Sequence, residues 1–372
     1  MVRLRSWLIA LAVLAFLVSG TLFTTPSDAQ GSLTAYRTRN LRLGVSGGNV
    51  NDRTNRFCCS GTLGALVTDG TNQYILSNNH VIGRSGGAAA GEDISQPGMI
   101  DANCAVTTVV ADFTISAPFS SNVDASIAQL RPGLMDSTGF IEGIGVPSSS
   151  VLAPSVGLAV TKSGRTTGTT SGTVTAINTS VNVQYQQNCG SGKKFTVSYT
   201  GQVVVGGSSF SAGGDSGSLI VSSSGKNPVA LLYAGSSTST IGNPAGQVLQ
   251  SLSAALGHNL TYVGSGGGNS PTTQSGKSQL DMQPVTRGFG GLLPQLPEQA
   301  ANRASAVLET NRAMLMATPG VIGAGVGAAS DNDLEPAIVI FVDRTSSHRP
   351  QFAPALDGIA VRVVHTDPFV AF

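Results

Sequence analysis

The chain has 372 residues, of which only 11% are charged, with 21 Lys and Arg against 20 Asp and Glu for a formal net charge of +1. At roughly 150 residues per domain, this length suggests two or three folding units. The charged fraction lies well under the roughly 25% of an average soluble protein and stands beside 47 glycines, which favours short strands and tight turns. No run of Lys and Arg is present that could neutralise a phosphate backbone, so the composition argues against nucleic acid as a partner.

Residues 1–29 read as a secretory signal peptide: Arg3 and Arg5 give the positive start, residues 7–18 the apolar segment, and Ser27 and Ala29 the small-residue cleavage site. The mature chain then begins near Gln30 and is secreted or held in the cell envelope, with no stable membrane association after cleavage. An uncleaved anchor is the competing reading, because the apolar stretch can be followed as far as Phe23. Export places Cys58, Cys59, Cys104 and Cys189 in oxidising surroundings, where two disulfides are expected and all three pairings stay open. With no Cys-x-x-Cys and no His at ligand spacing, no metal site is expected.

Within residues 30–262, short β-type runs at 62–67, 73–77, 173–177, 195–205, 218–222 and 229–233 are separated by Gly, Asn, Ser and Pro clusters. This spacing predicts an all-β barrel or sandwich. Residues 263–297 turn rich in Gly, Ser, Thr, Gln and Pro, the composition of a flexible linker. Beyond it, Ala300, Ala304, Val307, Leu308, Met314 and Leu315 predict one amphipathic helix over 297–318, stopped by Pro319 and Gly320. Strand-like runs at 321–326, 337–342 and 358–364 complete a small α+β unit over residues 298–372.

The stretch Ser211-Ala-Gly-Gly-Asp-Ser-Gly-Ser218 carries most of the chemical information. A serine hydroxyl is a weak nucleophile and needs a base beside it, with backbone N–H groups aimed where an oxyanion forms. The flanking glycines let the chain turn sharply and expose the N–H groups of Gly214 and Ser216 on one side. The competing reading is an ordinary Gly- and Ser-rich turn. Upstream, Tyr74-Ile-Leu-Ser-Asn-Asn-His80 is a strand ending in a histidine, and Asp124 precedes a second apolar run. His80, Asp124 and Ser216 thus stand in the chain order of one known class of serine hydrolase, with Asp124 holding the His80 tautomer. Asp101 and Asp112 compete for the carboxylate role.

On these motifs the region from about 55 to 262 resembles the chymotrypsin-type (trypsin-like) serine peptidases. Cys59-Ser-Gly-Thr-Leu-Gly64, Gly164-Arg-Thr-Thr-Gly168 and Val229-Ala-Leu-Leu-Tyr-Ala-Gly235 add to the match. Through Leu63-Gly-Ala-Leu-Val67, Leu76-Ser-Asn-Asn-His-Val81 and Gln96-Pro-Gly-Met-Ile-Asp101, the chain is also similar to the plant narrow-leaf serine protease group and its bacterial relatives. The resemblance implies two six-stranded β-barrels, a cleft between them that takes a protein or peptide substrate, and hydrolysis through an acyl-enzyme on Ser216 with no cofactor. It implies that Phe210, Tyr233 and Gly235 line the primary pocket, with plain core the alternative for Phe210, and the absence of a carboxylate there disfavours cleavage after Lys or Arg and favours an apolar or small side chain before the scissile bond.

The chain departs from the family in having no cysteine after His80 and no Ile-Val-Gly-Gly start. Asp215 therefore needs another cation if it is buried, and by analogy with the bacterial enzymes Arg165 is expected to supply it; a solvent-facing Arg165 is the alternative. Neither His348 nor His365 has a Ser or Cys in a Gly-rich turn near it in sequence, and both are read as surface or structural. Residues 298–372 are read either as a module that regulates the cleft intramolecularly or as a purely structural one. Two further readings use the same residues: a catalytically silent or autoinhibited scaffold, and an esterase.

Overall fold

The computed structural model describes residues 41–266, 295–330 and 333–372. The signal-peptide reading and nearly all of the linker reading lie outside them.

Seven strands open the chain: β1 (Val45–Asn49), β2 (Gly61–Leu63), β3 (Ala65–Thr68), β4 (Gln73–Ser77), β5 (Asp93–Gln96), β6 (Thr108–Ser116) and β7 (Ser126–Leu130). Their pairing runs β3-β4-β7-β6-β5-β1-β2, all antiparallel. Only Gly64 separates β2 from β3, so these two are one strand bent at a corner, and the bend closes the sheet into a six-stranded barrel. A side chain at Gly64 is sterically forbidden, since a Cβ there would stand 1.8 Å from the Gly217 carbonyl oxygen of the facing half. The run expected at 62–67 as one strand is thus broken where the two halves touch. Leu63, Leu66, Ile75, Leu76, Val110 and Ile127 fill the interior without exposure above 1%.

A second barrel is built from β8 (Ala159–Gly164), β9 (Gly168–Asn188), β10 (Ser191–Gly206), β11 (Leu219–Ser222), β12 (Pro228–Gly235) and β13 (Ser239–Pro244). The order β9-β8-β11-β12-β13-β10 is closed by pairing of β10 with β9. Every residue of β12 is buried, as expected of a strand flanked on both sides. β9 and β10 are much longer than the other strands and run past the barrel as a hairpin whose tip carries Cys189.

The helical signal between β13 and residue 262 was too weak to read in sequence, yet α2 (Ala245–Leu256) forms there, after the short α1 (Asn79–Ile82) of the first barrel. Ala245, Val248 and Leu252 fall on one face and pack into the first barrel's core, and Gly257 ends the helix in the left-handed conformation. β14 (Thr261–Tyr262) then pairs with β3, tying the end of this region back to the first barrel.

The expected helix is α3 (Glu298–Ala317). It buries Ala301, Ala304, Leu308 and Leu315, a stripe with mixed three-, four- and seven-residue steps, whereas Met314 points outward at 56% exposure. The stripe covers β15 (Val321–Ser330) and β16 (Asp333–Asp343), with β17 (Ala355–Leu356) and β18 (Ile359–Thr366) beyond. These strands are not a separate sheet: β15 pairs antiparallel with the projecting part of β9, through Gly323 opposite Val181 and Val326 opposite Ile177. A final strand, β19 (Phe369–Ala371), leaves β18 and runs between β12 and β9, antiparallel to the first and parallel to the second.

All four cysteines are paired, Cys58 with Cys104 and Cys59 with Cys189. The second bridge fastens the hairpin tip of β9 and β10 to the segment leading into β2.

Candidate active site

β4 ends at Ser77 and the chain turns directly into α1, which places His80 at the junction of the two barrels. Asp124, fully buried, lies just before β7, the strand paired with β4. Its carboxylate accepts three hydrogen bonds: from the His80 main-chain N–H (3.1 Å), from His80 Nδ1 (2.6 Å) and from the Tyr185 hydroxyl (2.8 Å). The Asp124 N–H in turn donates to Asn243 Oδ1 at 2.9 Å, so the residue is clamped from both barrels. Burial alone would lower the His80 pKa, but the charge and hydrogen bond of Asp124 outweigh it and, with the Phe372 oxygen and Asp52 adding, the net shift is upward. The two other carboxylates considered are engaged elsewhere: Asp101 with Arg165, and Asp112 with Arg131 at 2.6 Å.

Ser216 sits on the tight loop before β11 and has no exposed surface. Its Oγ donates to the Tyr233 main-chain oxygen at 3.1 Å, while His80 Nε2 faces the main-chain oxygen of Phe372, also at 3.1 Å. Gly214 has φ +96°, a conformation that strains any L side chain, and a Cβ there would come within 2.5 Å of Thr166 Oγ1. The N–H groups of Gly214 and Ser216 have no acceptor among the described residues. They are unengaged donors on a turn whose residues 211–214 keep partial exposure.

The expected pairing of Arg165 with Asp215 does not occur. Arg165 instead forks onto Asp101, with Nε and Nη2 donating at 2.6 and 2.7 Å. Asp215 is fully buried and its cation is Lys162, whose Nζ lies 3.4 Å away and is itself fully buried. The reason is strand alternation: Val160 and Lys162 share the inward face of β8, so the lysine stem lies inside the second barrel, whereas Arg165 follows the strand and reaches outward. Four more donors complete the Asp215 site, the N–H groups of Thr166, Thr167 and Ala212 and the Thr167 hydroxyl. Burial lowers the Lys162 pKa against the pull of Asp215.

Of the three residues expected to line the primary pocket, only Gly235 does so. A groove of ≈ 560 Å³ is bounded by Ser211, Ala212, Gly235 and Ser236 together with Val370 and Phe372. Phe210 is 1% exposed and lies beneath the groove in the second barrel's core. The Tyr233 ring is buried against Tyr199 at 5.0 Å, so Tyr233 offers the cleft its main chain only. A smaller cavity on the other side of His80 is lined by Asp52, Arg84, Tyr185 and the Cys59–Cys189 bridge.

Sequence reasoning missed Lys162, Tyr185 and the chain's last residues. For Lys162 a signal existed, since Leu158, Val160 and Lys162 occupy alternate positions and the lysine breaks an otherwise apolar face. Tyr185 reaches Asp124 only because of how far β9 projects.

Asp52, in the smaller cavity, has its carboxyl pushed by burial from 3.8 up to about 6, against the pull of Arg84 and His80. A raised acid pKa means that the folded protein binds a proton which the unfolded chain releases, so stability from this group falls as pH rises from about 4 through about 6. Asp52→Asn is expected to remove that decline, gaining about 1–2 kcal/mol at pH 8 after allowance for solvent screening. Thermal midpoints of both proteins at pH 4 and pH 8 check it; an equal drop in the two would sink it.

No protein-family model matches this sequence, and no curated protein matches it. Among solved structures, the chain is similar to a glutamic acid-specific serine protease that uses a histidine triad in substrate binding (25% identity, covering 59% of this chain and 98% of that one, TM-score 0.42). It is also similar to Thermobifida fusca protease A (16%, 60% and 98%, TM-score 0.41) and to Cellulomonas bogoriensis chymotrypsin (19%, 57% and 96%, TM-score 0.39). The chain itself thus forms two closed six-stranded barrels, to which it adds α3 and the strands from β15 to β19.

Proposed function

We propose that the protein is an extracytoplasmic serine endopeptidase that hydrolyses peptide bonds through an acyl-enzyme on Ser216. The observation that carries this reading is the short contact of His80 Nδ1 with the fully buried Asp124, at 2.6 Å, together with a serine on a turn with two unengaged N–H donors; the Ser216 hydroxyl and His80 Nε2 are each turned to a main-chain oxygen, of Tyr233 and Phe372. In the first step Ser216 Oγ attacks the substrate carbonyl carbon and His80 Nε2 takes the hydroxyl proton, while Asp124 stabilises the resulting imidazolium. The oxyanion then accepts from the N–H groups of Gly214 and Ser216. Collapse breaks the C–N bond, and the His80 proton leaves with the amine. Water, giving its proton to His80, then releases the acid and restores Ser216. Among chymotrypsin-type peptidases, the motifs around Leu63, His80 and Asp101 favour the narrow-leaf group. Two disulfides that use every cysteine support an oxidising compartment.

A second reading, a protease-fold protein whose site is silenced, is favoured by the zero exposure of Ser216. Labelling with a fluorophosphonate probe separates the two. Labelling of the protein that disappears in both Ser216→Ala and His80→Ala is the expected result, and a failure to label under any condition that leaves the protein folded would favour the silent scaffold.

A further inference from the structure

The last strand lies where a substrate would. An extended peptide gains affinity by adding a strand to an exposed sheet edge, with main-chain hydrogen bonds setting its register. β19 does this against the end of β12, past Leu231 where its pairing with β11 stops: Ala371 is opposite Ala234, Val370 is opposite Gly235, and the Phe372 N–H donates to the Tyr233 carbonyl at 3.4 Å. β12 is the strand whose Tyr233 oxygen also receives the Ser216 hydroxyl. The carbonyl group of residue 372 is thereby carried to His80, whose Nε2 stands 3.1 Å from its oxygen. No exposed surface is left on Ser216.

The side chain of residue 372 completes the fit. The Phe372 ring lies over Gly235, so closely that a Cβ at 235 would meet the ring at 2.3 Å, and it packs on the apolar cluster that contains Phe210. Its groove is also bounded by Ser211, Ala212, Ser236 and Asp367, and the Asp367 carboxylate is held by Arg344 at 2.6 and 2.8 Å. The preceding residues are fixed independently: Phe369 is fully buried edge-on to Phe341 at 5.6 Å, and Thr366 hydrogen-bonds the hydroxyls of Ser236 and Thr238 at 2.6 and 2.8 Å. The segment is therefore tethered beside the cleft, where a short tether supplies an effective concentration on the order of millimolar.

We propose that Phe369–Phe372 is a substrate mimic built into the chain, which occupies the acyl side of the cleft, restrains the activity of Ser216 until displaced, and reports the substrate class: an aromatic residue before the scissile bond, preceded by a small one. This rests on the peptidase reading given above and narrows it.

Wild type, Phe372→Ala and Phe372→Asp decide the matter, with folding checked by thermal midpoint. Two readouts are taken: the rate of fluorophosphonate labelling at Ser216, and kcat/KM on a pair of fluorogenic peptides that read Phe-Val-Ala-Phe or Phe-Val-Ala-Lys before the reporter. Loss of the half-buried ring in Phe372→Ala is expected to raise the labelling rate on the order of tenfold to a hundredfold, Phe372→Asp at least as much, and the Phe peptide is expected to be cut at least about a hundredfold faster than the Lys peptide. Equal labelling of all three proteins overturns the restraint, and faster cleavage of the Lys peptide overturns the substrate class, each leaving the peptidase reading intact. No labelling and no cleavage by any of the three folded proteins removes the peptidase reading and this inference with it.

Discussion

Replacing Asp124 by asparagine is expected to lower kcat/KM on the order of ten-thousandfold with little change in fold. The carboxylate accepts from three donors at once: the His80 N–H, His80 Nδ1 and the Tyr185 hydroxyl. An amide of the same shape offers one oxygen and one NH2. If the NH2 faces Nδ1, the ring must carry its proton on Nε2, the atom that has to accept from Ser216. The variant then has the right geometry and the wrong tautomer.

The same substitution moves the pH profile in a direction that can be worked out. His80 is exposed to the charges of Asp124 and Asp52 and to the Phe372 oxygen, all raising its pKa against the effect of burial. Asp124 supplies the largest upward contribution, so the acid limb of kcat/KM, which reports loss of the neutral base, shifts to lower pH in Asp124→Asn. A raised His80 pKa also means stabilisation that is complete below about 6.5 and is lost as pH rises through the folded value, a dependence the variant should lack. Tyr185→Phe is the useful control, since Tyr185 touches Asp124 and not the reacting atoms. It should lose much less activity and keep the wild-type tautomer. An Asp124→Asn protein that retains more than about a tenth of wild-type kcat/KM would be incompatible with the role given to Asp124.

What could be read in the sequence divides along the range of the interactions involved. Ser216 with its glycines, and His80 at the end of a strand, are local patterns, and the barrel strands are local alternations, so both were visible. The partner of Asp215 was not, because choosing between Lys162 and Arg165 requires knowing which face of β8 lies inside the barrel. The pocket residues were misplaced for a related reason. Phe210 sits on the loop after β10 and Tyr233 on β12, and both turn their rings into the core, so that Tyr233 offers the cleft its main chain alone. The helix α2 hid in a run of Ala, Ser, Gln and Leu with no N-cap side chain and no charge. The segment Phe-Val-Ala-Phe is an ordinary apolar strand by composition. Its position in the cleft follows from β15 joining β9 and from the tether at Thr366, contacts between residues more than a hundred positions apart.

Lys162→Met is expected to destabilise the fold by about 3–5 kcal/mol, the usual cost of leaving one member of a buried ion pair alone. Methionine fills the lysine stem's place beside Phe210, so little packing is lost and the charge dominates. Asp215 keeps its donors from Thr166, Thr167 and Ala212, which sets the lower end of the range. These same bonds hold the loop that presents Ser216, so the labelling rate of Ser216 should fall with stability. Because burial lowers the Lys162 pKa, the unfolded chain holds this proton more tightly than the folded one, and stability from this group rises as pH approaches 10.5. That rise should vanish in the variant. Adding Asp215→Asn to Lys162→Met removes the lone charge and should restore most of the lost stability, a coupling that a double-mutant cycle measures directly. Arg165→Ala should cost less than Lys162→Met, since Asp101 also accepts from Ser46 and the Arg165 and Asp101 side chains keep a little exposure (11% and 6%) where those of Lys162 and Asp215 keep none. Guanidinium unfolding midpoints for wild type, Lys162→Met, Asp215→Asn, the double variant and Arg165→Ala separate the alternatives: a stable Lys162→Met beside a collapsed Arg165→Ala would return Asp215 to Arg165.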